Sequence, residues 1–154
     1  MARVLITMTG EPELGSERPM PRTIFTLGAL FAALGVTFGA FGAHGLKTRL
    51  EPEMLAIFET GVRYQMYHAF GMLAAAWLYT QAPSTAVKAA GWLFAVGILI
   101  FSGTLYGLSL SSLGQAEPLK WLGMITPLGG LAMIVGWICL AVGAWKLKPQ
   151  ESPS

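Results

Sequence analysis

His44 and His68 are the only two histidines of this chain, and histidine is the side chain best suited to proton transfer near neutral pH. His44 sits in the string Gly39-Ala-Phe-Gly-Ala-His-Gly45, and His68 closes Tyr64-Gln-Met-Tyr-His68. Further along stand hydroxyl groups that could share a site with them: Ser102, Tyr106 and Thr126. Three kinds of chemistry can be asked of such a set, and each falls short. A metal site needs three or four ligands. His44, His68 and Glu59 could supply three only if the corner between them folded back on itself. The chain has no His-x-x-x-His or Glu-x-x-His spacing and no Asp at all. Serine hydrolysis needs a nucleophile elbow and a nearby acid, and Phe101-Ser-Gly-Thr offers neither. The single Cys139 excludes an intramolecular disulfide and a cysteine-rich metal knuckle. No catalytic residue, metal or cofactor is therefore expected.

The elements that would hold these residues are apolar runs. The chain has 154 residues, the length of one domain; 54% are hydrophobic and only 12% charged. A soluble domain carries about twice that charged fraction. Four runs are long enough to cross a bilayer, at about 23–43, 64–81, 89–110 and 121–145, the second being the least apolar. Backbone polar groups cannot be left bare in lipid, so each must be a helix. The expected fold is an all-α integral membrane four-helix bundle, the domain covering 23–147. Residues 1–22 read as a disordered polar leader and 148–154 as a polar tail. A signal peptide is the competing reading of the first 43 residues, but the uncharged run Thr23 to Ala43 is too long for a signal core.

Small residues mark how the helices pack. Gly28, Gly35, Gly39 and Gly42 recur at steps of three, four and seven in the first span, and Gly129, Gly136 and Gly143 do so in the fourth. That period of 3.5 predicts packing seams where backbones approach closely. Between spans one and two, Glu51-Pro52-Glu53 reads as a helix start. Met54, Leu55, Ile57, Phe58 and Val62 follow at helical spacing among charges, which predicts a short amphipathic interfacial segment running into span two. Gly28-Ala-Leu-Phe-Ala32 is similar to Gly91-Trp-Leu-Phe-Ala95, as a duplication of helix pairs would produce.

Four spans put both termini on one side. Lys and Arg number six there and four on the other side, a bias toward both termini in the cytoplasm. The topology brings His44, Tyr64, His68, Ser102, Tyr106 and Thr126 to a similar depth in the opposite leaflet. Two readings stay open. One is a polar pocket, since ionisable groups inside a span point to function. The other is structural: Gly45 would end the first helix beside His44, and His68 would bond across helices to Tyr106, Ser102 or Thr126.

The strings Gly39 to Lys47, Tyr64 to Ala69, Phe101 to Tyr106, Ile125 to Gly130 and Gly136-Trp137 resemble the YgdD-like family of small membrane proteins of unknown function (DUF 423). The resemblance covers about residues 23 to 147. It implies four helices in a bacterial inner membrane and no known activity, substrate or cofactor. The positions matching its motifs are His44, Tyr64, His68, Ser102, Tyr106, Thr126 and Pro127. Family chains start near Met20, so the leader is an extension of the pattern. The function expected is a non-enzymatic accessory or interaction module of the membrane. The alternative is a small-solute or lipid-binding or transport protein using a polar pocket near His44 and His68. Expected partners are the bilayer and either further copies of the chain or other membrane proteins. Nucleic acid is excluded, because the net charge of +2 forms no basic stripe.

Overall fold

The computed structural model describes residues 19–114 and 121–147. The first 18 residues of the leader, the loop at 115–120 and the tail from 148 lie outside them. Among the described residues every element is helical. In chain order these are α1 (Pro19–Phe41), a π-helical turn (Gly42–Leu46), α2 (Pro52–Gln81), α3 (Thr85–Gly97), a second π-helical turn (Ile98–Ser102), α4 (Gly103–Ser111) and α5 (Leu122–Ala144). The segments α3, π turn and α4 run on as one rod, so the described residues form a bundle of four rods. Among the described residues three helices are long and apolar enough to cross a membrane: Pro21–Leu46, Thr85–Ser111 and Leu122–Ala144.

The glycine stripes set the topology. Along α1, Gly28 faces Ala69 and Met72, Gly35 faces Met66, Gly39 faces Val62 and Gly42 faces Phe58. The partner numbers fall as the glycine numbers rise, so α1 and α2 are antiparallel. Along α5, Gly129 faces the Phe101 backbone, Gly136 faces Phe94 and Gly143 faces Val87, an antiparallel seam against α3 and its π turn. Gly71 against Phe94 and Gly61 against Tyr106 join α2 to the third rod. Both seams predicted from the 3.5-residue period are therefore buried contact lines. In lipid the gain comes from van der Waals contact between closely approaching backbones rather than from expelled water. The matched strings around Gly28 and Gly91 do not occupy equivalent places. Gly28 faces α2, whereas Gly91 faces Ile24 of α1 rather than α5.

Like the third rod, α2 packs against every other rod. It is also the least apolar of the four, and the two facts belong together. Phe58, Gly61, Gln65, His68, Met72, Ala75 and Ala76 form its buried stripe, so its polar side chains are shielded by three apolar neighbours. Its 30 residues span about 45 Å, enough for the hydrocarbon core and both headgroup layers. The amphipathic stretch after Pro52 is the first part of this helix and continues into span two without a break. Pro52 occupies its first turn and Glu53 lies near the positive end of its dipole, as Glu51-Pro52-Glu53 suggests. Its inner side buries Phe58 with Leu46 and Leu50.

Two helix ends differ from expectation. α1 starts at Pro19, so residues 19–22 of the supposed leader are helical; proline's fixed φ suits a first turn. At the other end Gly45 does not stop the helix. No glycine among the described residues has positive φ, and the chain passes through Gly45 in a π turn to Leu46. Gly45 instead makes room for the Phe41 ring, whose nearest carbons would stand 2.8 Å from a Cβ there. The third rod is capped by Ser84, whose hydroxyl accepts from the Val87 amide at 3.2 Å.

Candidate functional site

The residues singled out for chemistry divide among three places. His44 lies in the first π turn and is exposed. It does not meet His68. Around Gln65 and His68, on the buried stripe of α2, the bundle gathers its largest polar group.

Gln65 is 3% exposed. Its Nε2 donates to the Phe31 carbonyl of α1 at 2.8 Å, and its Oε1 accepts from the Tyr106 hydroxyl of α4 at 2.9 Å. One amide thus ties three rods. The Tyr106 ring is held against Phe58 at 4.8 Å and Phe38 at 5.0 Å between ring centres, which aims its hydroxyl at Gln65.

His68 is 5% exposed and sits one turn further along. Its Nδ1 lies 2.7 Å from the Tyr64 carbonyl. A carbonyl only accepts, so Nδ1 carries the proton and donates it. The ring is walled by Tyr64, Phe94 and Trp137, with centres 6.0, 5.6 and 6.0 Å away. The expected bonds from His68 to Tyr106, Ser102 or Thr126 are replaced by this bond within its own helix. Tyr106 is taken by Gln65, and Thr126 by Thr104.

Thr126 shares a hydrogen bond with Thr104 at 2.8 Å and donates to the Leu122 carbonyl at 3.0 Å. Since Thr126 donates to Leu122, Thr104 is left to donate either to Thr126 or to the Phe101 carbonyl, 2.9 Å away. Ser102 is fully buried in the second π turn, and its hydroxyl makes no hydrogen bond among the described residues. None of these contacts pairs a nucleophile with a base. Among the described residues no three His, Cys, Asp or Glu side chains come together as a metal-ligand group.

The open volume lies elsewhere. A groove of about 1030 Å³ separates the start of α1 from the end of α2, lined by Arg22, Phe25, Thr26, Trp77 and Tyr79 among others. A smaller one of about 210 Å³, beside Gly39, Gly42, Phe58, Glu59 and Arg63, lies near the opposite end. Gln65, His68, Ser102, Tyr106 and Thr126 line neither.

The sequence alone placed Gln65 only near the site. Its signal was there: it lies on the same seven-residue stripe as Phe58, His68 and Met72, so it had to point inward. Thr104 carried no such signal, because its partner stands 22 residues away on another rod.

A family model described as "Protein of unknown function (DUF423)" matches residues 38–130, a stretch that runs from the last turn of α1 to the glycine pair of α5. The chain is 44% identical over 126 residues to the UPF0382 membrane protein YwdK of Bacillus subtilis, covering 81% of this chain and 98% of that one. A UPF0382 membrane protein of Staphylococcus epidermidis is 42% identical over 125 residues, with 81% and 97% covered. One of Haemophilus influenzae is 39% identical over 130 residues, with 84% and 98% covered. No solved structure matches the chain.

Proposed function

This chain belongs to the DUF423 family of membrane proteins, and from that premise we propose that it is a non-enzymatic accessory or interaction module of the bacterial inner membrane. One observation carries the reading. Gln65, His68, Tyr106, Thr104 and Thr126 bond to one another or to backbone, the buried Ser102 and Ser109 hydroxyls have no partner among the described residues, and none of these side chains lines either cavity. A catalytic or solute-binding centre would leave some of them turned toward open space. Here Gln65 with Phe31 and Tyr106, and Thr104 with Thr126, bond across rods, as polar groups do when they hold helices together. The alternative, a ligand pocket near His44 and His68, lacks support from this geometry, since His44 is exposed and His68 is walled by rings.

What remains for recognition is the outer surface. Leu128, Leu131, Ile134 and Ile138 are all more than half exposed along α5, and Trp77 and Leu99 are 61% and 63% exposed on the other rods. Such faces meet acyl chains, another membrane protein or a second copy. Orientation with both termini in the cytoplasm is supported by the Lys and Arg of the sequence, six at the terminal end and four at the other.

Native mass spectrometry of the chain in mild detergent, beside His68→Ala, tests the reading. A stoichiometric polypeptide, equal in parent and variant, is the expected result. A small molecule held by the parent and lost from a folded His68→Ala protein would overturn it and make this a binding protein.

A further inference from the structure

The groove at the terminal end has a graded chemistry that the accessory reading does not use. Arg22 stands at its mouth, in the first turn of α1, with the Thr26 hydroxyl one turn deeper. Phe25, about 4.5 Å deeper than Arg22 along the axis, and Ala76 and Trp77 of α2 form its apolar wall. Phe25 is 53% exposed and Trp77 61% exposed, so this wall is open sideways where acyl chains would lie. The groove lies between the first turns of α1 and the last turns of α2, at the depth where headgroups meet hydrocarbon, and tryptophan favours that boundary. Among the described residues Lys88 and Lys146 share this end with Arg22.

We propose that this groove is a site for one anionic phospholipid of the leaflet at the terminal end, its phosphate on Arg22 and an acyl chain along Phe25 and Trp77. The cation selects the headgroup charge. The lateral opening selects a lipid over a soluble anion, because a free phosphate gains nothing from an apolar wall. The volume of about 1030 Å³ is at the upper end of ordinary ligand sites. The inference is independent of the accessory reading, since His68 and Gln65 take no part in it.

The full chain in mild detergent is titrated with phosphatidylglycerol or phosphatidylcholine and followed by native mass spectrometry. One phosphatidylglycerol is expected to bind in preference to phosphatidylcholine. Arg22→Gln should weaken that binding about fivefold, the effect of one cation near an anionic membrane surface. Trp77→Ala should weaken both lipids alike, leaving the preference intact; its circular dichroism checks that the fold survives. Lys88→Gln, a cation at the same end outside the groove, should leave binding nearly unchanged. Equal binding of the two lipids overturns the proposal. So does an equal loss in Lys88→Gln and Arg22→Gln, which would mean diffuse charge. Displacement of the lipid by millimolar inorganic phosphate would assign the site to a soluble anion and overturn it. Tighter lipid binding after deletion of residues 2–18 would make the chain's own leader the occupant and overturn it too.

Discussion

The two ends of the bundle solve opposite problems. Toward the corner end, Gln65 is joined to Tyr106 and Thr104 to Thr126 across rods, and the rings of Phe38 and Phe58 pack on Tyr106. Toward the terminal end, α1 and α2 part around a groove of about 1030 Å³, where Arg22, Thr26 and Thr80 stand beside Phe25 and Trp77. Gln65, His68, Ser102, Tyr106 and Thr126 lie inside the bundle and line neither groove, and the larger open space is at the other end. In a soluble protein a buried glutamine beside a histidine and a tyrosine would draw attention as a site. In a membrane helix the same residues must find partners because lipid offers none, so the first account of such a cluster is packing.

The sharpest way to break the sealed half is to pry its seam apart. A Cβ on Gly129 would lie 2.5 Å from the Phe101 amide nitrogen and 3.0 Å from its Cα. Backbone cannot swing aside as a side-chain tip can. Gly129→Val should therefore cost about 3 kcal/mol, the upper end for overpacking, read as a lower unfolding midpoint in denaturing detergent. Gly103 is the control, with nothing within 4 Å of its would-be Cβ. Gly103→Ala should be neutral or up to about 1 kcal/mol stabilising, as expected for a helix interior. Equal losses in the two would mean that the seam is not what holds α5.

The next effect is that of the three-rod amide. Gln65→Leu removes both of its interhelical bonds and leaves the Tyr106 hydroxyl without its partner. A loss of about 1–3 kcal/mol is expected from two such bonds. Tyr106→Phe removes only one and leaves the ring packed on Phe38 and Phe58, so about 0.6 kcal/mol should be lost. An unchanged midpoint in Gln65→Leu would show that the polar group is not structural, and the likeness between the two ends would return.

How much of this could be read in the chain follows from what each feature depends on. The seams of Gly28 to Gly42 and Gly129 to Gly143 were legible because their signal is local and periodic. So was the start of α2 at Glu51-Pro52-Glu53. The place of Gly45 was misread because a Gly after an apolar run ordinarily marks a helix stop, while here its missing side chain admits the Phe41 ring. Neither π turn left a local signature. The meeting of Gln65 with Phe31 and Tyr106 depends on the rotation of three rods, and no stretch of sequence specifies that. The groove was illegible for a related reason: it is made by the separation of α1 and α2 between Trp77, inside the second span, and Arg22, which reads as the end of the leader.

The smallest effect asks whether the sealed half behaves as one network or as separate ties. Thr104 and Tyr106 are both on α4, yet their bonds reach different rods, α5 through Thr126 and α2 through Gln65. Thr126→Val is nearly isosteric. It removes the bond to Thr104, while Thr104 keeps the Phe101 carbonyl as an acceptor at 2.9 Å, so no donor is orphaned. The expected loss is about 0.5 kcal/mol. Combined with Tyr106→Phe, the two losses should add to within about 0.5 kcal/mol, because the bonds share no partner and the Tyr106 ring still fixes α4 against Phe38 and Phe58. A larger coupling would mean that α4 is positioned cooperatively by both ties. In that case the sealed end would be one polar network, and loosening any member would free the second π turn, where Ser102 lies buried.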